Sequence, residues 1–368
     1  MSKRGKCVVL AAGGTGGHVF PAQALATELV SQGYSVFVFS DGRGQQFKGS
    51  SLSTLHIPAA QFRGSIGRKL KGGFELITGI GAALFHLKRL KPDVVVGFGG
   101  YASFPTMIAA GLLRLPTIVH QADAYFGRTN RYLAPYMTCI ATSFPHVDNI
   151  PQSCQNKVSL SGLPVRPEIK RAAYTSSEER DPFHILITGG SQGAKIFGEI
   201  IPQAIHLLEP TLQMRLCITQ QCRPEFLEST RALYKKTKAH VELSPFLENM
   251  GEQYKRAQLI ISRAGASSVV EAALVGRPAL FVPYPFAMDD HQFYNAQQVM
   301  NVEGGWVMRE NEFTLKALSI LLSELMTSPW KLSQAAVNIQ TIAIPDASSK
   351  FARLVNLIAS SKRNRNET

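Results

Sequence analysis

Two glycine-rich turns are the strongest chemical signal in the sequence. Residues 13–18 read GGTGGH after the β-like run CVVLAA, and residues 189–194 read GGSQGA after HILIT. When the two turns are aligned, Thr15 falls on Ser191, and a helix-like segment follows each turn. Glycines at such a turn let backbone N–H groups approach an anion at the positive end of the next helix. The repeated pattern predicts two phosphate-bearing ligands, one in each half of the chain.

The first half carries a histidine beside its glycine turn. His18 ends the GGTGGH motif, and an imidazole can exchange a proton near neutral pH, which suits a general base. A histidine that only caps the helix or packs locally is the alternative. A further open turn follows the run DVVVGF and offers a second phosphate contact. The residues expected to contact phosphate in this half are Gly13, Gly14, Gly99, Gly100 and Tyr101.

The second turn contains Ser191 and Gln192, where a helix begins after the carboxyl end of a strand. That place is the usual ligand crevice of open parallel sheets. Arg166 lies in the segment between the two halves and is a candidate bidentate phosphate ligand. A lone glycine turn is often structural, and an exposed arginine can have no role, so both alternatives stay open.

A run of small residues opens another helix in this half. The segment SRAGASSVVE covers residues 262–271, and Glu271 falls about one and a half turns into the helix. Its carboxylate can accept two hydrogen bonds from a vicinal diol such as a ribose. The alternative is a carboxylate that only complements the positive helix end. The substrate contacts expected before it are Ala266, Ser267, Ser268, Val269 and Val270.

Polar residues cluster after the run VPYPFAM. Asp289, Asp290 and His291 could suggest a metal site, but the sequence has no other ligand cluster to support one. We therefore predict no metal and no cofactor. Gln292 is instead expected to hydrogen-bond a donor sugar.

Short apolar β-like runs alternate with helical patterns along the whole chain, which predicts parallel sheets covered on both faces. The runs are KCVVLAA, SVFVFS, DVVVGFG, TIVHQA and TCIATS in the first half and HILITGG, MRLCIT, LIISRAG and ALFVPY in the second. Because two features recur in the same order in both halves, we predict an α/β protein of two Rossmann-like domains facing across a cleft. The expected ranges are 1–163 for the first domain, 164–345 for the second and 346–368 for a C-terminal helix that can pack back on the first.

The composition limits the classes of partner. The 368 residues carry a formal charge of +13, which implies an acidic partner. The sequence shows no basic stripe with interleaved aromatics, so nucleic acid is not expected. No apolar run approaches the roughly 20 residues that span a bilayer. The five cysteines have neither the spacing of a metal site nor that of a disulfide framework, so we expect them to be reduced thiols.

One predicted helix, at residues 74–89, carries two apolar stripes. The inner stripe, Leu76, Ile80, Leu84 and Leu87, has the ordinary spacing of a core face. The outer stripe consists of Phe74, Ile77, Gly81 and Phe85. An apolar surface rimmed by cations suits an anionic membrane, and burial of the helix on two sides is the alternative. The cations expected at the membrane are Lys69, Lys71, Lys88 and Arg89.

Six motifs in order closely resemble the MurG family over almost the whole chain: GGTGGH, GFGGY, GLPVR, GGSQGA, SRAGAxxxxE and DDHQxxNA. The resemblance implies transfer of N-acetylglucosamine from UDP-GlcNAc to undecaprenyl-pyrophosphoryl-MurNAc-pentapeptide (lipid I), which makes lipid II of peptidoglycan. It also implies a GT-B fold, an inverting and metal-independent reaction, and peripheral residence on the cytoplasmic face of the bacterial plasma membrane.

The resemblance also implies roles for single residues. The first turn would lie beside the sugar donor and the acceptor diphosphate, and the backbone of Leu247 would meet uracil. Thr15, Gly16 and Gly17 match the residues of that first turn. The positions that match donor-binding residues are Arg166, Ser191, Gln192, Glu271 and Gln292. One stretch departs: the family commonly shows HEQN where this chain has HQAD at 120–123. Asp123 thus replaces an asparagine and loses its amide donor, which puts its contact with the donor sugar in doubt.

Three other functions stay open at this point. A related glycosyltransferase would use another lipid acceptor, such as diacylglycerol. An NAD-dependent dehydrogenase would use the first turn with Asp41 on a ribose, although that turn is not a clean GxGxxG. A non-catalytic nucleotide-binding scaffold would bind ligands without turnover.

Overall fold

The structure is a computed structural model that describes residues 6–14, 16–42, 52–59, 66–190 and 194–367, with backbone only for 66–71 and 361–367. The chain divides into two compact units. The first comprises Met1–Arg166 together with Ile344–Thr368, and the second is Pro167–Ala343. Which ligand each unit binds stays a prediction.

The first unit alternates strands and helices. Its strands are β1 (Cys7–Ala11), β2 (Ser35–Ser40), β3 (Ser53–His56), β4 (Val94–Gly97), β5 (Thr117–Gln121), β6 (Cys139–Thr142) and β7 (Val158–Leu160). Its helices are α1 (Gly16–Ser31), α2 (Ile66–Leu90), α3 (Gly100–Leu112), α4 (Arg128–Leu133) and, from the C-terminus, α13 (Ala347–Glu367).

The described strands of this unit form one parallel sheet in the order β3-β2-β1-β4-β5-β6-β7. The chain order reverses between β1 and β4, where Ala11 lies opposite Gly97. Both strands are buried along their length, as apolar strands covered on both faces must be. An open sheet binds ligands at such a switch point, outside the carboxyl ends of the strands.

The C-terminal helix α13 packs on α1 and completes the core of the first unit. Phe351, Ala352 and Val355 are buried in one cluster with Leu25 and Leu29 of α1. The hydroxyl of Ser349 also donates to Glu28 Oε1 at 3.0 Å. The last helix of the chain is therefore a structural part of its first unit.

The second unit repeats the alternation. Its strands are β8 (Phe183–Thr188), β9 (Leu216–Gln221), β10 (His240–Ser244), β11 (Leu259–Ser262), β12 (Ala279–Phe281) and β13 (Gly305–Val307). Its helices are α5 (Lys195–His206), α6 (Pro210–Arg215), α7 (Leu227–Tyr234), α8 (Met250–Arg256), α9 (Ala266–Val275), α10 (His291–Met300), α11 (Leu315–Thr327) and α12 (Pro329–Ile339).

The second sheet is also parallel, in the order β10-β9-β8-β11-β12-β13. Its switch point lies between β8 and β11, where Thr188 is opposite Ser262. The sequence GGSQGA follows β8 and the sequence RAGASS follows β11. Both predicted binding segments of this half therefore leave the same edge of the sheet side by side.

Candidate active site

The switch point of the first unit brings the predicted histidine and two predicted turns together. Gly99 and Gly100 have φ of 83° and 68°, the left-handed region that favours glycine. A Cβ built on Gly100 would lie 3.3 Å from His18 Nε2, and one on Gly99 would lie 3.6 Å from His18 Cε1. The imidazole therefore lies in contact with the GFGG turn, where the positive φ values disfavour any residue other than glycine.

The first glycine turn faces the same edge. Helix α1 begins at Gly16, so Gly17 and His18 lie in its first turn, which contains no acidic residue. A Cβ on Gly14 would lie 3.7 Å from the hydroxyl of Tyr101. Gly13 is backed by Asp41, whose Oδ1 lies 2.6 Å from the Cβ position. The five predicted phosphate-contacting residues and His18 thus form one cluster.

Gln121 holds the loop that carries Asp123. The amide nitrogen of this buried side chain donates to the carbonyls of Asp123 at 3.0 Å and Tyr125 at 2.8 Å. Its amide oxygen accepts from Gly127 N–H at 3.2 Å and from Asn130 Nδ2 at 2.9 Å. A glutamate at this position could not donate both of the first two bonds, because a carboxylate has no donor and a protonated carboxyl has only one. Asp123 itself is half-buried, and its predicted donor contact stays a prediction.

His120 is buried beneath the cluster. It is 1% exposed, shares a 3.1 Å hydrogen bond with Ser143 Oγ, and contacts the rings of Phe98 and Phe351. Its pKa is lowered to about 3, mainly by burial and to a smaller extent by the charge of His18, while a hydrogen bond with the backbone of Gly162 partly opposes the shift. His120 is therefore neutral when the protein is folded, and it is a poor candidate for a proton carrier near pH 7.

The buried His120 makes stability fall in acid. Its pKa is depressed from the ordinary 6.5, so the unfolded chain binds a proton below pH 6.5 that the folded chain rejects down to about pH 3. The stabilisation is complete above pH 6.5 and decreases by about 2 kcal/mol at pH 5. In urea denaturation followed by circular dichroism, His120→Gln should lose less stability between pH 7 and pH 5 than the parent. His146→Gln, at a side chain that is 75% exposed, should retain the parent slope. Equal slopes in His120→Gln and the parent would refute this assignment.

Arg166 ends the first of the two segments that form the first unit. Its guanidinium carbon lies 5.8 Å from the centroid of the Phe20 ring, which belongs to α1 two residues beyond His18. The stacking fixes the stem of the side chain close to the start of α1. This placement suits an anion ligand, and the predicted phosphate contact is not tested by it.

In the second unit, the start of α9 presents open backbone at the switch point. Gly265 is the N-cap residue and makes no side-chain hydrogen bond to the first turn. Ser267 and Ser268 are half-buried. Ala266, Val269 and Val270 are buried, so their predicted contacts can involve only the backbone and small exposed areas.

Glu271 lies in the second turn of α9 and is 7% exposed. Its Oε2 accepts a 3.0 Å hydrogen bond from the hydroxyl of Tyr254 in α8. This partner could not be predicted from the sequence, because the two residues belong to different helices and their contact depends on how α8 packs.

Gln292 is fixed at the start of α10. Its Oε1 accepts from the backbone N–H of Tyr284 at 3.0 Å, which leaves the amide nitrogen as the group that can donate to a sugar. Asn295 donates to the carbonyl of Ala264 at 3.0 Å and ties α10 to the loop before α9. Leu247, in the loop after β10, is 7% exposed, so its predicted contact with uracil would use the backbone.

The acidic pair before α10 is engaged within the protein. Asp290 forms a 2.9 Å ion pair with Arg309, and His291 Nδ1 lies 2.8 Å from the carbonyl of Met288. Within the described segments, no group of three or more histidine, cysteine, aspartate or glutamate side chains could hold a metal ion.

Several predicted residues lie outside the described residues. Thr15, Ser191 and Gln192 are among them, and for Lys69 and Lys71 only the helical backbone is described. The flanking residues are described: α5 begins at Lys195, with Ala194 as its N-cap.

Helix α2 is buried on one side only. Leu87 of the inner stripe is buried and Ile80 and Leu84 are partly buried against the core, whereas Phe74, Ile77 and Phe85 of the outer stripe are 69%, 71% and 62% exposed. Burial of this helix on two sides is thus wrong for the first unit taken by itself. Lys88 and Arg89 at the end of the helix are also exposed. In the part of the chain that is described, no helix is both long and apolar enough to cross a membrane.

Comparison with known proteins identifies the family. The Glycosyltransferase family 28 N-terminal domain matches residues 8–142, and the Glycosyltransferase family 28 C-terminal domain matches residues 184–356. A curated protein of Rhodospirillum rubrum is 45% identical over 96% of this chain and 92% of its own length. Its name is UDP-N-acetylglucosamine–N-acetylmuramyl-(pentapeptide) pyrophosphoryl-undecaprenol N-acetylglucosamine transferase. The chain belongs to this transferase family.

A second curated relative and a crystal structure support the same family. A protein of the same name from Paramagnetospirillum magneticum is 42% identical over 96% of this chain and 97% of its own length. The crystal structure of Acinetobacter baumannii MurG is 32% identical, with a TM-score of 0.79 over 95% of this chain and 99% of that one. These matches confirm the resemblance to MurG, the GT-B fold and a hexosyltransferase. The calicheamicin glycosyltransferase CalG4, 13% identical with a TM-score of 0.70 over 97% of this chain and 99% of its own, shares only the fold.

Proposed function

We propose that the protein transfers N-acetylglucosamine from UDP-GlcNAc to the C4 hydroxyl of the MurNAc of lipid I and so makes lipid II. The observation that carries this proposal is the 45% identity to the R. rubrum transferase of that name over nearly the whole of both chains. Four of the six motifs, GGTGGH, GFGGY, GGSQGA and SRAGAxxxxE, follow the strands that flank the two sheet switch points, which is where ligands of open α/β sheets bind.

The second unit would bind UDP-GlcNAc. Glu271 accepts hydrogen bonds from the ribose, Gln292 donates to the sugar, and the backbone of Leu247 meets the uracil. Negative charge grows on the departing UDP, and the open N–H groups at the start of α9 and the turn after β8 can stabilise it. Arg166 adds a positive charge for the diphosphate, so the departure of UDP would need no metal.

The first unit would bind the acceptor. The turns after β1 and β4 offer backbone N–H groups to the pyrophosphate of lipid I. His18 would accept the proton of the C4 hydroxyl as the oxygen attacks the anomeric carbon. Attack from the face opposite UDP breaks the bond to the diphosphate and converts the α-linked donor into a β-linked product.

The direct test is the release of UDP in the presence of a short-chain lipid I analogue. UDP should form only when UDP-GlcNAc and the analogue are both present, which would exclude a scaffold without turnover. Diacylglycerol in place of lipid I should give no product. If the protein bound NADH and did not bind UDP-GlcNAc, the dehydrogenase alternative would be favoured instead.

The exposed outer stripe of α2 is proposed to contact the cytoplasmic face of the bacterial plasma membrane. Phe74, Ile77 and Phe85 would insert between headgroups, and Lys88 and Arg89 would meet anionic lipids. The net charge of +13 supports the same contact. A lipid-borne acceptor would then reach the first unit without leaving the bilayer.

Replacing the outer stripe by polar residues should weaken membrane binding. The triple change of Phe74, Ile77 and Phe85 to serine should lower partition into vesicles of phosphatidylglycerol and phosphatidylethanolamine at least about tenfold, since each burial contributes about 1 kcal/mol or more. Vesicle co-sedimentation measures this. The matched control is Leu207→Ser with Met214→Ser, at exposed apolar residues of the second unit, which should bind as the parent does. Unchanged binding of the triple variant would refute the assignment of this surface.

A further inference from the structure

Tyr254 of α8 contacts Glu271 of α9, the residue that is proposed to bind the ribose. Its hydroxyl donates to Glu271 Oε2 at 3.0 Å, and the tyrosine is 1% exposed. A carboxylate has two oxygens, and a fixed hydrogen bond to one of them orients the other. The bond is buried, so water does not compete for it.

A second contact holds α8, which carries Tyr254, against α9, which carries Glu271. The guanidinium of Arg277 is 2% exposed and donates from Nε to the carbonyl of Tyr254 at 3.1 Å and from Nη2 to that of Lys255 at 2.8 Å. It also donates from Nη1 to the carbonyls of Val275 at 3.3 Å and Gly276 at 3.2 Å. These carbonyls end α8 and α9, so one buried cation joins the ends of both helices.

We propose that Tyr254 is a positioning residue for ribose recognition: its hydroxyl fixes the Glu271 carboxylate so that the second oxygen meets the ribose diol. The proposal rests on the ribose contact of Glu271 in the proposed function. The hydrogen bonds of Arg277 to the ends of α8 and α9 (the Arg277 clamp) fix the distance between the two helices. The hydroxyl of Tyr254 then fixes the rotamer of Glu271. A carboxylate held in this way loses less rotamer freedom on binding, so its bond to the ribose is stronger.

The test compares the binding of UDP with that of UDP lacking the 2′- or the 3′-hydroxyl, by isothermal titration calorimetry. The parent should prefer UDP over at least one of the deoxy nucleotides about tenfold or more, as expected when a carboxylate loses a hydrogen-bond donor. In Tyr254→Phe this preference should fall to about threefold or less, because UDP binding weakens while the affinity for that deoxy nucleotide changes little. In the background of Glu271→Gln, Tyr254→Phe should have no further effect on the preference.

Tyr234→Phe is the matched control. Tyr234 is also a buried tyrosine of the second unit, and its hydroxyl donates to Gln220 Oε1 at 2.5 Å, away from Glu271. This variant should keep the parent preference. If Tyr254→Phe keeps the full preference, or weakens all three nucleotides equally, the positioning role is wrong. A parent without any preference, or a Glu271→Gln variant that keeps it, would instead refute the ribose contact of the proposed function itself.

Discussion

Replacing His18 by alanine is expected to lower kcat about 10²–10⁴-fold, the usual contribution of a positioned general base. His18 lies in the first turn of α1, with its ring against the Gly99–Gly100 turn, so alanine removes the proposed proton acceptor and should leave the glycine turns in place. Steady-state turnover of a lipid I analogue measures the loss. UDP binding, which the second unit would provide, should not change.

His146→Ala is the control for this experiment. It removes an exposed histidine of the same unit that pairs only at the surface with Asp148, and it should turn over as the parent does. Near-normal turnover of a folded His18→Ala variant would show that another group accepts the proton. Because folded His120 is neutral with a pKa of about 3, it is not a substitute at neutral pH.

The largest stability loss is expected at Arg277. Its guanidinium serves the carbonyls at the ends of α8 and α9 and also donates to Ala172 at 3.2 Å and Ala173 at 2.8 Å. Arg277→Met would remove all of these side-chain donors, although the carbonyls of Tyr254 and Val275 keep backbone N–H donors from Ala257 and Ala172, and should destabilise the second unit by about 3–5 kcal/mol. The only two tryptophans, Trp306 and Trp330, belong to this unit, so the midpoint of urea denaturation followed by tryptophan fluorescence reports its unfolding.

Arg256→Met is the matched control for the clamp. It removes an exposed arginine at the end of α8, and a surface change of this kind should shift stability by no more than about 0.5 kcal/mol. A midpoint for Arg277→Met close to that of Arg256→Met would mean that water or a rearranged backbone satisfies the carbonyls.

The central strands could be predicted from the sequence, and the edge strands could not. Runs such as CVVLAA and LIIS are apolar without alternation because β1 and β11 are buried on both faces. The strands that the sequence did not predict are β3, β7, β10 and β13, which are the four edges of the two sheets. An edge strand has partly exposed residues, as STLH in β3 does, so its sequence lacks a continuous apolar signal.

The site could be predicted where it depends on local chain geometry. The turn at 99–101 and the start of α9 follow directly from glycine and small residues after a strand. The partners that fix the functional side chains could not be predicted, because they come from distant segments. Tyr254 reaches Glu271 between two helices, and Phe351 of the last helix packs on His120. Such contacts depend on tertiary packing, of which a single sequence carries no local sign.

The most direct test of the account is the structure of the product formed from UDP-GlcNAc and a short-chain lipid I. Mass spectrometry and NMR of the extracted lipid should show one GlcNAc β-linked to C4 of MurNAc, with one UDP released for each lipid converted. Release of UDP without a glycosylated lipid, or transfer to diacylglycerol while lipid I is left unmodified, would contradict it.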